Sequence, residues 1–431
     1  MVVFAASTGT LAMAVPKGMT RREVLAGAAQ AAAAASLGGL AGCFPSVGGN
    51  WSANASDGGN DGSLCSCTPG DGGGSSASTT SNGPVAGQST VVSIQRDDSV
   101  DARGQSTAQP QLDAVQAMVD AVLSALAGGA SNPWPALLPG AGSCTRIGLK
   151  VNCLNSYFGT SPAIVRALIT SLVANLGVCP SNIIVWDRRL DELQTVGRYG
   201  SDDLQGAQLL GTLASTTSTA GPGYTDPVLT LQGSTPRLSH ILTEMTDVTI
   251  NCPVLKVHGQ TGFTAGMKNV FGIIDVPGNF HTASSPGVDI QTALPAIYNI
   301  PAIRGSLKLH IVDALQAVLN GDTDTAPNAI PGYIFASLDT LALDHYALDL
   351  INQLRAKPPF RMQPVNAPPP DASVNTLFDW MDNAYQLGLG TKGYQLVMLQ
   401  PNGEPVGVDG GSEGLDGSTD GSILEVLDSA G

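Results

Sequence analysis

The chain has 431 residues and a formal charge of −15, unevenly spread: residues 111–400 hold 15 basic and 21 acidic side chains, while the stretch after Gln400 holds seven acids and no base. An acidic chain without a lysine or arginine run offers no footprint for DNA or RNA, because neutralising phosphates needs clustered cations. Nucleic acid is therefore excluded as a partner.

The first motifs met along the chain are an address. Thr20-Arg21-Arg22-Glu23-Val24-Leu25 reads as a twin-arginine export motif, and Leu40-Ala41-Gly42-Cys43 as a lipobox that places a diacylglyceryl group on Cys43. The stretch between them is mostly alanine and glycine, too weakly apolar for a membrane span and suited to a signal that is read and cut. The expectation for residues 1–43 is thus export through the twin-arginine translocase. The mature protein would then be anchored in a membrane through lipid on Cys43, facing the periplasm or the cell surface.

Residues 44–110 and 401–431 are rich in Gly, Ser, Asn and Asp and poor in large apolar residues. Such composition cannot bury enough surface to offset the entropy of ordering, so the first segment is expected to be a disordered tether and the second an acidic tail. That leaves residues 111–400 as one folded domain. Of the seven cysteines, none falls in a spacing that ligates zinc or an iron–sulfur cluster.

Within the domain, helix and strand patterns alternate. Gln111 to Ala127 carries a helical stripe at Leu112, Val115, Met118, Val119, Val122 and Leu126, stopped by Gly128-Gly129. Arg146 to Val151 suits a buried strand, and Ser161-Pro162 opens a helix in the preferred cap and first-turn order, running to Gly177. Further strands are expected at Asn182 to Trp186, at Val248 to Val257 with an irregularity at Pro253, at Leu307 to Val312, and at Tyr333 to Ala336; Leu341 to Leu354 is a clear helix. Strands spaced by helices imply an α/β fold of three layers, a mostly parallel sheet with helices on both faces.

Such sheets take ligands outside the carboxyl ends of their strands. Polar residues cluster at those ends: Lys150 and Asn152, Asp187 and Arg188, Lys256 and His258, Asp313. The least generic stretch is Cys252-Pro-Val-Leu-Lys256-Val-His258, followed by a Gly/Thr-rich turn, a helix expected near Thr264, and Met267-Lys268-Asn269-Val-Phe-Gly272. Lys256, Lys268, His258 and His281 stand there with Asp275 as the only acid between Asn251 and Thr282. A helix N-terminus and a local excess of cations suit an anionic ligand, a phosphate or carboxylate; a solvated surface loop is the plainer reading. His258 and His281 are candidate acid–base groups or metal ligands, while His240, His310 and His345 read as structural.

Taken together, Gly148-Leu-Lys150-Val-Asn152, Val185-Trp-Asp187-Arg188, the Cys252 to Gly272 stretch, His281, Ile311-Val-Asp313-Ala and Ser337-Leu-Asp339-Thr-Leu-Ala-Leu-Asp344 resemble the family called domain of unknown function 362, over roughly Arg146 to Ala356. Some relatives append ferredoxin-like cysteine quartets, which links the family to redox chemistry; this chain lacks them. The Lys/His/Lys-Asn pattern is also similar, as analogy alone, to nickel-cofactor hydroxyacid racemases. The expected function is an enzyme, or a former enzyme, acting on a small anionic ligand, with a metal or redox cofactor as an option. Lys150, Asn152, Lys256, Thr264, Lys268 and Asn269 would bind that ligand. Asp187, Asp313 and Asp344 would orient the cations or hold a metal. The alternative is a non-catalytic envelope lipoprotein that binds a ligand or protein in the same cleft.

Overall fold

The computed structural model describes residues 84–101, 109–154, 156–281, 289–322, 324–368 and 376–406. Arg21, Arg22 and Cys43 lie outside these residues. Ten strands form the main sheet: β1 (Gln88–Gln95), β2 (Ile147–Lys150), β3 (Ile183–Arg189), β4 (Gln208–Leu213), β5 (Val248–Asn251), β6 (Val254–His258), β7 (Gly262–Thr264), β8 (Leu307–Val318), β9 (Tyr333–Ser337) and β10 (Gly393–Leu399). Their order is β10-β1-β9-β8-β5-β2-β3-β4, with β6 branching off β8 and β7 off β6. Six of the nine pairings are parallel.

Successive side chains of a strand point to opposite faces, and here both faces are apolar. In β3, Ile183 and Val185 enter one core and Ile184 and Trp186 the other. The helices α1 (Leu112–Leu126) and α2 (Pro162–Ser171) cover the first face, burying Val115, Met118, Val119, Ile164 and Leu168. The helices α3 (Ile290–Tyr298), α4 (Thr340–Ala356) and α5 (Asp379–Gln386) cover the second, burying Leu294, Leu341, Leu350 and Trp380. The three-layer α/β architecture follows from strands that have no polar face to show to water.

The local stops act as their residue types require. Ser161 accepts a hydrogen bond from the Ala163 N–H at 3.2 Å to cap α2, with Pro162 in its first turn. After α2 the chain makes one wide helical turn and ends on Gly177 at φ 71°, a left-handed value that glycine adopts at no steric cost.

Three expectations are corrected. The tether does not extend to residue 110, because Gln88–Gln95 forms β1 inside the sheet, parallel to β10 and antiparallel to β9. Its Val91, Val92 and Ile94 are buried, by strand partners more than 200 residues away and, for Val92 and Ile94, also by α1. No helix begins near Thr264, since Gly262–Thr264 folds back as β7 on β6, and a single 3-10 turn follows at Lys268–Gly272. Finally, β8 does not end before Asp313 but continues to Val318, which puts that aspartate in mid-strand.

Pro253 does interrupt the expected Val248–Val257 strand. Having no N–H to give to a ladder, it separates β5 from β6. The two halves pair with β8 in one register, Asn251 opposite His310 and Val254 opposite Asp313, and the register shifts beyond Val254, where Lys256 lies opposite Val318.

Candidate functional site

The carboxyl ends of β2, β3, β5 and β6 converge on a cleft of about 260 Å³. Asn152, Asp187, Lys256, His258, Thr264, Lys268, Asn269 and His281 all line it, joined by Arg188, Glu192 and Phe271. Residues from the start of β2 to beyond the 3-10 turn are thus brought to one place by the parallel order of the strands.

Lys150 is not among them. Its ammonium donates to Asp187 Oδ1 at 2.7 Å, to the Val151 carbonyl at 2.7 Å and to Asn269 Oδ1 at 3.5 Å, so its three N–H groups are spent inside the protein. The other oxygen of Asp187 accepts from the Cys153 N–H at 2.7 Å. Gly272 passes directly over this pair: a Cβ there would stand 2.6 Å from Lys150 Nζ and 2.7 Å from Asp187 Oδ1. The expected ligand-binding role of Lys150 is replaced by a structural one.

Beyond the ion pair runs a relay of amides. Lys256 Nζ donates to Asn152 Oδ1 at 2.9 Å; Asn152 Nδ2 donates to Asn269 Oδ1 at 3.0 Å; Asn269 Nδ2 donates to Asn251 Oδ1 at 2.8 Å. Asn251 Nδ2 in turn reaches the Gly266 carbonyl at 2.8 Å and His310 Nδ1 at 3.0 Å. Each amide is fixed at both ends, so the cleft's polar wall is held in one orientation.

The two cleft lysines differ from Lys150 in having no carboxylate partner among the described residues. Lys256 is 1% exposed and Lys268 9%. Burial lowers the Lys256 amine to about 8. Burial, and then the charge of Lys256, lowers Lys268 to about 7. Lys268 Nζ sits 3.7 Å from the centre of the Phe271 ring, a cation–π contact when it is charged.

The two imidazoles lie 5.8 Å apart, centre to centre, and their partners give them opposite tautomers. His258 Nδ1 accepts from the backbone N–H groups of Gln260 at 3.0 Å and Thr261 at 3.2 Å, so in the neutral ring the proton is on Nε2. His281 Nδ1 faces the Pro277 carbonyl at 3.0 Å; a carbonyl only accepts, so Nδ1 carries the proton and Nε2 the free lone pair. Burial first and Lys268 second lower both, His258 to about 3. At neutral pH, then, His258 is a hydrogen-bond donor and His281 a base.

Thr264 donates its hydroxyl to the carbonyls of Val254 and Lys256, each at 3.3 Å, which ties β7 to β6. The expected metal-holding aspartates do not meet. Asp313 accepts from the Ser161 and Leu315 N–H groups at 2.7 and 3.0 Å. Asp344 accepts from the Gly266 and Met267 N–H groups at 2.6 and 2.9 Å, consuming the donors that a helix N-terminus would have offered an anion. Among the described residues no three of His, Cys, Asp and Glu stand where they could hold a metal ion.

Sequence reasoning passed over Phe271 and Asn251, and gave Arg188 no role beyond its strand end. Arg188 follows Asp187 directly and donates to the Asp275 carbonyl at 2.9 Å. The adjacency was the only signal it carried. Asn251 carried none, because its role rests on meeting Asn269 and His310 in space.

Residues 147–349 match the family described as Domain of unknown function (DUF362). The DUF362 match spans the ion pair, the relay, both cleft lysines and both histidines. No curated protein matches the chain. Among solved structures, the lactate racemase apoprotein of Thermoanaerobacterium thermosaccharolyticum aligns at 14% identity and a TM-score of 0.35, covering 60% of this chain and 56% of that one. A Thermotoga maritima protein aligns at 13% identity and 0.35, covering 58% and 60%. The chain thus spans less than two thirds of either structure.

Proposed function

We propose that this protein is an enzyme that takes a small anionic substrate into the cleft at the strand ends and moves a proton on it. Lys256 attracts the anionic group with Lys268 beside it, Asn152 and Asn269 hold the wall against which it sits, His258 hydrogen-bonds a substrate oxygen through Nε2–H, and His281 Nε2 takes the proton. The observation that carries this reading is the union, in one cleft, of two lysines without carboxylate partners and two neutral imidazoles of opposite tautomer. A site built only to hold an anion has no use for a base beside the cations.

In the same reading the domain is displayed outside the cytoplasm as a lipoprotein. That part rests on the residues alone: Arg21 and Arg22 for export, and Cys43 for the lipid.

The test is deuterium exchange from heavy water into C2 of simple 2-hydroxy acids and C3 of simple 2-oxo acids, followed by NMR, alongside calorimetric binding of the same acids. The parent binds and exchanges. His281→Gln keeps binding within about threefold and loses exchange, while Lys256→Met weakens binding by about tenfold or more. A parent that binds without exchanging would make the protein a non-catalytic ligand-binding lipoprotein. A parent that does neither would end the reading.

A further inference from the structure

Lys268 is the odd member of the three buried lysines. Lys150 spends every N–H on the protein. Lys256 donates two, to Asn152 and, at 3.5 Å, to the Leu154 carbonyl. Lys268 Nζ makes no hydrogen bond and no ion pair among the described residues, faces the cleft, and rests on the apolar face of Phe271. A binding ammonium would be poorly served by that setting, since its only direct contact is the ring and Asp322, which favours the charge from a distance, forms no ion pair with it. A free amine is well served by it.

We infer that Lys268 is a nucleophile that condenses with the carbonyl carbon of a small oxo acid and holds it in the cleft as an imine. This rests on the anion-binding reading above and names its substrate class: a carboxylate next to a ketone or aldehyde. The second cation follows from the same chemistry, because a lysine beside a lysine is kept in its neutral, attacking form. Burial first and the charge of Lys256 second do this to Lys268, whose amine is lowered to about 7.

The step balances without any further reagent. The Lys268 lone pair forms the C–N bond, and the carbonyl π pair moves to oxygen, which accepts a hydrogen bond from His258 Nε2–H. His281 Nε2 then carries the two amine protons, one at a time, from nitrogen to that oxygen. The oxygen leaves as water and the nitrogen lone pair closes the C=N bond. Phe271 neighbours both groups, its ring centre 3.7 Å from Lys268 Nζ and 5.6 Å from that of His281, so base and nucleophile border one apolar wall.

The experiment is reductive trapping on the full chain. The protein is incubated with pyruvate and sodium cyanoborohydride, digested, and the modified lysine located by peptide mass spectrometry. The expected result is a carboxyethyl group on Lys268, absent in Lys268→Arg and reduced about tenfold at limiting pyruvate in Lys256→Met. A second measurement needs no ligand. Acetic anhydride should label Lys268 half-maximally near neutral pH, below the pH at which the exposed Lys308 and Lys357 react.

Pyruvate that binds by calorimetry but is not trapped on Lys268 overturns the imine and leaves the anion-binding reading standing. Pyruvate that neither binds nor traps removes both. Trapping spread equally over surface lysines, or a Lys268 labelling profile like that of Lys308, overturns the imine as well.

Discussion

At the end of β2, Lys150 and Asp187 are enclosed together at 1% and 4% side-chain exposure, their charges cancelled at 2.7 Å. At the end of β6, Lys256 is as deeply enclosed, and beside it Lys268 nearly so, and among the described residues no carboxylate forms an ion pair with either. The same strand-end layer thus contains a closed electrostatic circuit and an open one. A buried charge must be paired, neutralised by losing its proton, or met by a ligand. The first corner has taken the first course and is structure. The second has left the other two available, and that is what makes it a candidate site.

The comparison breaks most visibly at its closed corner. Asp187→Asn leaves the Lys150 ammonium buried beside a neutral amide, and a loss of about 3–5 kcal/mol of stability is expected, as for other buried pairs from which one partner is removed. Urea denaturation measures it; a loss under about 1 kcal/mol would show that Lys150 is not held by charge. A smaller effect is expected from the relay between the corners. Asn251→Ala removes the partner of His310 Nδ1 and one of the two acceptors of Asn269 Nδ2, which keeps the Lys150 carbonyl at 3.3 Å, costing about 1–3 kcal/mol for the unsatisfied groups. It should also weaken anion binding, since Asn269 and through it Asn152 would be held less tightly.

The open corner gives the smallest change and the most telling sign. Lys268→Met removes a buried amine that has no carboxylate partner, so stability at neutral pH should stay within about 1 kcal/mol of the parent or rise. The pH dependence sharpens this. Lys268 titrates near 7 and Lys256 near 8 when folded, against 10.5 when unfolded, so between those limits the unfolded chain binds protons that the folded one does not. Parent stability should therefore rise with pH in that window, by about 1 kcal/mol per pH unit for each lysine. Lys268→Met should lose its share of the slope. Below that window two sets of buried groups oppose each other: burial raises Asp313 to about 6 and Asp344 to about 7, so the folded state holds protons the unfolded state has lost, while burial lowers His258 and His310 to about 3, so the unfolded state binds protons there that the folded state does not. A profile flat between pH 8 and 10 would contradict the lysine assignment.

Much of the fold was legible because its signals are local. Ser161 and Pro162 announced α2, the two glycines after α1 stopped it, and Pro253 broke its strand. The histidine and lysine spacing picked out a stretch that does line one cleft. What was illegible lay in pairings across the chain. β1 looked like tether because Val91, Val92 and Ile94 are few and flanked by polar residues, and only its pairing with β9 and β10 and the packing of α1 and α4 on it reveal what buries them. The turn after Thr264 looked like a helix start because the carboxylate that takes its N–H groups, Asp344, arrives from α4.

By itself, then, the sequence determined the class of the fold and the roster of charged residues at its strand ends, since period, caps and breakers act over a few residues. The tertiary structure alone decided which charges cancel. Lys150, Lys256 and Lys268 are the same residue type at similar places, and they differ only in whether folding brings a carboxylate to them: Asp187 reaches the first, while Asp313 and Asp344 are drawn off to cap backbone elsewhere. A charge's meaning depends on its partners within a few ångströms, and those are set by packing.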